Sequence, residues 1–320
     1  MVYGLLVLIV IFSLVLIKAA DITVVSLRRL TGRVGVFGIS AIIVAIGTSF
    51  PELFVGITSA LEKNPNLSLG VVAGSNIANV ALIGGLTALI IGRVGVHGEY
   101  LKRDVWIALF CAVLPFVLIM DKYLSRIDGA ILLLLYLSYA SGFFRNRNNE
   151  DEDDGQNFVF RFLRKVNHIS GEKYKDYARV FVGIALLLFS ADAIVRSSKL
   201  LAEMVGIPIF IIGLFILAIG TSLPELAFSL RSVEDHEPSM FFGNILGSII
   251  ANSTLILGVT SILNPITIVA TNRIYIAGFS FVVIFLIFYY FIRSKHRLDR
   301  WEAVFLILMY ITFAIVEIIY

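Results

Sequence analysis

Apolar residues run in long, nearly unbroken blocks along this chain, not in the short alternations of a water-soluble fold. A helix of about 20 such residues crosses a bilayer. Ten spans can be placed: 2–25, 35–62, 68–91, 104–120, 127–143, 178–203, 207–231, 239–262, 274–292 and 301–319. Most connections are short. The exception, 144–177, carries the polar stretch NRNNEDEDDGQN from Asn146 to Asn157. It divides the chain into a five-span half at 1–143, a linker at 144–177 and a second five-span half at 178–320. The expected fold class is an all-α polytopic membrane protein.

The apolar blocks are interrupted in a repeated way. AIGTSFPE spans Ala45 to Glu52 and AIGTSLPE spans Ala218 to Glu225; GSNIAN at Gly74 to Asn79 answers GSIIAN at Gly247 to Asn252. Both motifs recur at an offset of 173, and 27 residues separate glutamate from asparagine in each half. KAADITVVS near Asp21 and FSADAIVRSS near Asp192 extend the echo into the first span of each half. This is internal duplication. A half with an odd number of spans forces its copy to enter the membrane upside down, an inverted-topology repeat of the kind that builds secondary transporters around a midplane site.

Charge fixes the orientation. Of the 26 lysines and arginines, 19 fall in connections on one side, 6 fall on the other, and Lys18 lies within span 1. Basic residues accumulate in cytoplasmic loops. Both termini are therefore expected outside, with the 144–177 loop in the cytoplasm and the protein in the plasma membrane. The first apolar run has no basic segment before it and outlasts a signal sequence, so it reads as span 1. The composition agrees: 58% hydrophobic, 15% charged, mean hydropathy +0.92. Cys111 is the one cysteine, which rules out an internal disulfide and reads as a packing residue. His97, His168, His236 and His296 all fall in loops on the inner side. The acidic run Glu150 to Asp154 lacks the glycine and alternating ligands of an EF-hand loop and reads as a solvated linker. FVFRFLRKV, Phe158 to Val166, suits a short amphipathic helix on the inner surface.

The motifs specify chemistry. In Gly47-Thr48-Ser49-Phe50-Pro51-Glu52, proline has no N–H to donate and clashes with the preceding turn, and glycine loosens the helix before it. Span 2 should break there, freeing carbonyls such as those of Ala45 and Thr48. Gly220 and Pro224 predict the same break in span 7, and spans 3 and 8, with their GSxxxN motifs, are expected to be interrupted too. A bland reading exists: Ser49-x-x-Glu52 and Ser222-x-x-Glu225 each fit a capping box. Yet a charge at mid-membrane costs at least about 2.5 kcal/mol, and serine alone would cap. Two glutamates with carbonyls form an all-oxygen cage suited to calcium, which takes about 6–8 oxygens. No histidine or cysteine joins them, which argues against zinc, copper or iron. Ser49, Ser75, Asn79, Ser222, Ser248 and Asn252 add neutral oxygens suited to sodium. Close helix packing also accounts for Gly74, Ser75, Gly247 and Ser248, and at this point both readings stand.

The paired GTSxPE motifs, each followed by GSxxxN, resemble those of the calcium/cation antiporter family and within it the prokaryotic sodium/calcium exchangers. The resemblance covers essentially the whole chain. It implies ten helices with broken helices 2, 3, 7 and 8, calcium bound by Glu52 and Glu225, and carbonyl ligands from Thr48 and Thr221. It implies sodium sites on Ser49, Ser222, Ser75, Ser248, Ala45 and Ala218, with Asn79 beside them. Spans 1 and 6 would slide across the core to alternate access. One position departs: close exchangers often carry aspartate where this chain has Asn252, which bears on the coupling ion. The proton-coupled branch usually shows a GNxxE-type motif, absent here. The expected activity is antiport of Ca2+ against Na+, with H+/Ca2+ exchange as the alternative and a cation channel as a different class. No enzymatic role, resident cofactor, nucleic acid or obligatory protein partner is expected; the partners are the ions and the bilayer. An intramembrane hydrolase would need a base or metal centre, and no histidine is placed at mid-membrane to supply one.

Overall fold

The computed structural model describes residues 2–33, 47–95, 100–147, 173–235, 238–295 and 297–319. The first half of the second expected span, with Ala45, lies outside the described residues, as do most of the 144–177 linker, its acidic run and FVFRFLRKV, and the four histidines. The helices, numbered by span, are α1 Val2–Arg33, α2 Phe50–Leu61, α3 Pro65–Ile91, α4 Tyr100–Leu118 and α5 Arg126–Arg147. They continue with α6 Lys173–Val205, α7 Ile209–Glu234, α8 Pro238–Leu263, α9 Thr271–Lys295 and α10 Arg300–Ile319. Among the described residues, eight helices are long and apolar enough to cross a membrane, and α2 is a shorter apolar helix.

Helix boundaries follow the sequence offset. α2 and the lower part of α7, Leu223–Glu234, each have 12 residues and start 173 apart. Pro65–Ile77 and Pro238–Ile250 each have 13, and the π-helical segments behind them, Ala78–Ile83 and Ala251–Ile256, each have 6.

The expected break in span 7 is present. Ser222 stands at φ −84°, ψ 4°, between Ala218–Thr221 and the helix that restarts at Leu223; Ser49 has nearly the same angles, φ −88°, ψ 8°, before α2. Pro51 and Pro224 sit in the first turn of the restarted helices, where a missing N–H costs no hydrogen bond. The capping boxes do not form, because neither serine hydroxyl bonds to its helix. Spans 3 and 8 correct the expectation: α3 and α8 are not broken. Each runs on through its π segment with helical dihedrals at both ends. Without an internal proline to remove a donor, the chain takes up one wider turn instead of parting.

The helices form two bodies. α1 and α6 lie along each other, and a Cβ on Gly183 would come within 2.2 Å of Thr23 Oγ1, so only glycine permits this approach. Their shared apolar cluster, including Leu16, Ala19, Leu187, Ala191 and Ile194, rests on Val55, Leu67, Val71, Ile212 and Leu217 of α2, α3 and α7. The second body has its own core, rich in Phe241, Phe242, Phe281, Phe285 and Phe288, with Cys111 buried in it. Arg196 on α6 reaches across to Glu62 at the end of α2, 3.0 Å away, and pairs with Asp192 on its own helix, also at 3.0 Å.

Two short ribbons mark the ends of the larger body. β1 (Arg93–Gly95) after α3 pairs antiparallel with β4 (Arg297–Asp299) before α10. β2 (Tyr123–Leu124) before α5 pairs antiparallel with β3 (Ile266–Thr267) after α8. α4, 19 residues and about 28 Å long, connects β1 to β2.

α3 and α7 touch through their backbones. A Cβ on Gly70 would lie 2.1 Å from the Phe210 carbonyl oxygen, and one on Gly74 2.0 Å from that of Leu214 and 2.6 Å from Ala218 Cβ. Gly74→Ala is therefore expected to force the two helices apart and destabilise the protein by about 1–3 kcal/mol. Gly84→Ala, whose Cβ would meet nothing closer than 3.5 Å at a helical position, should leave stability unchanged or raise it by up to about 1 kcal/mol. Thermal melts in detergent and ion-free buffer compare the two. The same assay tests the missing caps. Loss of a working N-cap serine typically costs about 1 kcal/mol, whereas Ser49→Ala and Ser222→Ala should each stay within about 0.5 kcal/mol of the parent.

Candidate ion site

The helix breaks and the π segments meet at one level. α2 carries Glu52 three positions past Ser49, and the lower half of α7 carries Glu225 three positions past Ser222. α3 contributes Ser75 and, at the start of its π segment, Asn79; α8 contributes Ser248 and Asn252 at the corresponding places. All eight of these side chains are buried, none more than 3% exposed.

What they do inside is unusual. Buried polar atoms in folded proteins are almost all hydrogen-bonded. Here the hydroxyls of Ser49, Ser75, Ser222 and Ser248, both carboxylate oxygens of Glu52 and of Glu225, both amide atoms of Asn79 and the amide oxygen of Asn252 have no hydrogen-bond partner among the described residues. An isolated carboxylate in an apolar interior is costly by several kcal/mol. The cost falls twice, on matched positions of the two halves.

The halves exchange neighbours. Glu52 lies beside Ser75 of its own half and Thr221 of the other; Glu225 lies beside Ser248 of its own half and Thr48 of the first. None of these hydroxyls makes a hydrogen bond of good distance and angle to a carboxylate oxygen. The charge of Glu52 also acts on Glu225. Thr221 is fully buried and its hydroxyl donates to the Leu217 carbonyl at 3.0 Å. Half-buried Thr48 donates to Asn244 Oδ1 at 3.4 Å. The carbonyl of buried Ala218 accepts the Ser222 N–H at 3.1 Å. Ala45, expected in the same role in the first half, lies outside the described residues.

Three participants escape a reading of the motifs alone. Asn76 donates to Ser253 Oγ at 2.7 Å and accepts from Asn252 Nδ2 at 3.2 Å, joining α3 to α8. Asn244 on α8 sits 3.5 Å from both the Glu225 carbonyl and Ser229 Oγ. Asn76 lies inside GSNIAN, but the second half has Ile249 in its place, so the repeat gives it no weight. Asn244 corresponds to Val71 and has no echo at all.

In chemical terms the site offers two carboxylates, four hydroxyls, two amides and the carbonyls at a helix break. Among the described residues, no group of three or more histidine, cysteine, aspartate or glutamate side chains is placed to hold a metal. The donor set is oxygen alone with two acids, which suits hard cations.

Relatives carry the same scaffold. The family described as "Sodium/calcium exchanger protein" matches residues 4–145 and 176–319. The sodium/calcium exchanger MaX1 of Methanosarcina acetivorans is 32% identical over 333 residues, covering 94% of this chain and 95% of that protein. The inner membrane protein YrbG of Escherichia coli is 32% identical, covering 70% of this chain and 68% of that one. A solved structure of the sodium-calcium exchanger NCX_Mj superposes with a TM-score of 0.62 at 27% identity, covering 98% of each chain. That of the H+/Ca2+ exchanger CAX does so with a TM-score of 0.75 at 16% identity, covering 98% of this chain and 86% of that one, which is a likeness of fold. With a duplicated, membrane-embedded scaffold and a family match over nearly its full length, this chain belongs to the sodium/calcium exchanger family of antiporters.

Proposed function

We propose that this protein exchanges Ca2+ for Na+ by alternating access at one midplane site built on Glu52 and Glu225. The observation that carries the reading is the set of buried, unpartnered oxygens on α2, α3, α7 and α8. A protein that left two carboxylates and four hydroxyls unsatisfied for packing alone would be greatly destabilised. A bound cation supplies what they lack. Glu52 and Glu225 neutralise the two charges of calcium. The carbonyls of Thr48, Thr221, Ala45 and Ala218 and the side chains of Ser49, Ser222, Ser75, Ser248, Asn79 and Asn252 complete the coordination of calcium or of sodium. The ions are substrates, and the cycle requires no resident cofactor and no catalytic group.

Neutralisation enforces exchange. The site can pass through an occluded state only when cations offset both carboxylates, since uncompensated charge in a dry interior is too costly. α1 and α6 meet α2, α3 and α7 through one apolar cluster, and an apolar contact of this kind suits a layer that moves across a core. The ribbons support the inverted repeat. α3 ends at β1 and its counterpart α8 ends at β3, and α4 holds those two ends of the larger body apart. This favours opposite directions for α3 and α8, in keeping with two inverted five-helix repeats at 1–143 and 178–320 joined by the 144–177 linker. In the plasma membrane both termini face outward and the linker faces the cytoplasm, following the basic residues.

The test is uptake of radiolabelled Ca2+ into proteoliposomes loaded with Na+ or with choline at equal pH. Uptake is expected with internal Na+ and not with choline. Uptake driven instead by an acid interior, without Na+, would replace sodium by protons as the coupling ion, and flux that needs no counter-ion would make the protein a channel. Glu52→Gln and Glu225→Gln should each lower uptake at least roughly 100-fold, the scale of leaving one partner of a buried charge pair uncompensated. Full activity in Glu52→Gln would remove that residue from the site.

A further inference from the structure

Asn79 and Asn252 occupy equivalent places in the two halves, yet their surroundings differ. Asn252 Nδ2 donates to Asn76 Oδ1 at 3.2 Å, and Asn76 Nδ2 donates to Ser253 Oγ at 2.7 Å. All three side chains are at least nine-tenths buried. With its amino group engaged, Asn252 is left with one unpartnered atom, the amide oxygen. The first half has no such chain. Ile249 stands where Asn76 would be and Val80 where Ser253 would be, and both amide atoms of Asn79 lack a partner.

We infer that Asn76 is a positioning residue that turns the Asn252 amide so that its oxygen, not its nitrogen, faces the transported cation. The inference rests on the proposed ion site and adds a residue and a role to it. An amide end has two faces of opposite use. The carbonyl oxygen is a cation ligand; the amino group repels a cation and would instead donate to a carboxylate. A carboxylate at this position would present oxygen in either orientation, so it would need no such support. An amide does need it, and the chain through Asn76 to Ser253 provides it. In the observed polarity the Ser253 hydroxyl accepts from Asn76. Reversed polarity, with Ser253 donating to Asn76 Oδ1 and Asn76 donating to Asn252 Oδ1, would aim the amino group at the site. Partners behind a metal ligand commonly change affinity by about 10–100-fold when removed.

The experiment titrates Ca2+ against the melting temperature of the full-length protein in detergent, and measures half-saturating Ca2+ and maximal rate in proteoliposomes. Asn76→Leu removes the acceptor behind Asn252 and should raise half-saturating Ca2+ about 10-fold or more, with the maximal rate within about threefold. Asn76→Asp, assayed at alkaline pH so that the new carboxyl is ionised, can only accept, from Asn252 Nδ2 and from a rotated Ser253 hydroxyl, so it locks the inferred polarity. It should stay within about threefold of the parent. If Asn76→Leu fails to fold, Asn76→Asp still decides. A more than 10-fold loss in Asn76→Asp would establish the reverse polarity and overturn the inference, as would a parent-like Asn76→Leu. Failure of the site itself reads differently: the parent would then show no Ca2+-induced stabilisation, or Glu52→Gln would keep it.

Discussion

A carboxylate in an apolar interior needs a positive partner, and among the described residues neither Glu52 nor Glu225 has one. The rest of the architecture turns on that omission. The neighbouring hydroxyls of Ser49, Ser75, Ser222 and Ser248 are left equally open, although each is a small group that could rotate toward a backbone acceptor, as the Thr221 and Thr254 hydroxyls do. Oxygens kept free in this way are poor contributors to folding and good ligands. Stability must come from elsewhere, and it does. The phenylalanine-rich core and the glycine contacts of α3 with α7 hold the surrounding helices so closely that the site cannot collapse on itself.

The same constraint explains why the chain is duplicated. One broken helix offers one acid and one set of carbonyls, which is half of the proposed divalent cage. The copy supplies the other half, and the two are interleaved: Thr221 lies beside Glu52 and Thr48 beside Glu225. Neither half is complete alone. The ribbons repeat this logic at the ends of the bundle, since each pairs a strand of one half with a strand of the other. Departures from the symmetry are then informative, because duplication does not explain them. Asn76 with Ser253, Asn244 beside Thr48, and the Arg196–Glu62 pair between the two-helix layer and α2 each link the two halves through residues that the repeat does not match.

Much of this was legible before any coordinates. Long apolar blocks gave the helices, and GTSxPE with GSxxxN gave the acids, hydroxyls and amides that prove to be buried and unpartnered. Proline after glycine gave the break at Ser222, because proline removes a backbone donor whatever surrounds it. The π segments at Ala78 and Ala251 were not legible. A wider turn needs no proline or glycine, so nothing local marks it, and the break expected in spans 3 and 8 followed the GSxxxN motifs and the resemblance. The capping box was legible but wrong as a structural reading: spacing permits the serine-to-helix bond, and only the side-chain orientation decides against it. Asn76 was hidden for a different reason. Its partners are 176 and 177 residues away, and its counterpart in the second half is isoleucine.

The contrast between Asn79 and Asn252 shows how a duplicated site can become directional without losing its symmetry of charge. The two acids remain equivalent, and so do the four serines. Only the amides differ, one held by a hydrogen-bond chain and one without partners. In the proposed site, a cation that has to exchange its water for protein oxygens would meet on one side a ligand already turned toward it. On the other it would meet one that must first be oriented. Ordering a group costs entropy, so the two sides of the site do not bind alike even where their residues match. In the proposed cycle that difference separates the two amides, and its origin is two substitutions, Ile249 opposite Asn76 and Val80 opposite Ser253.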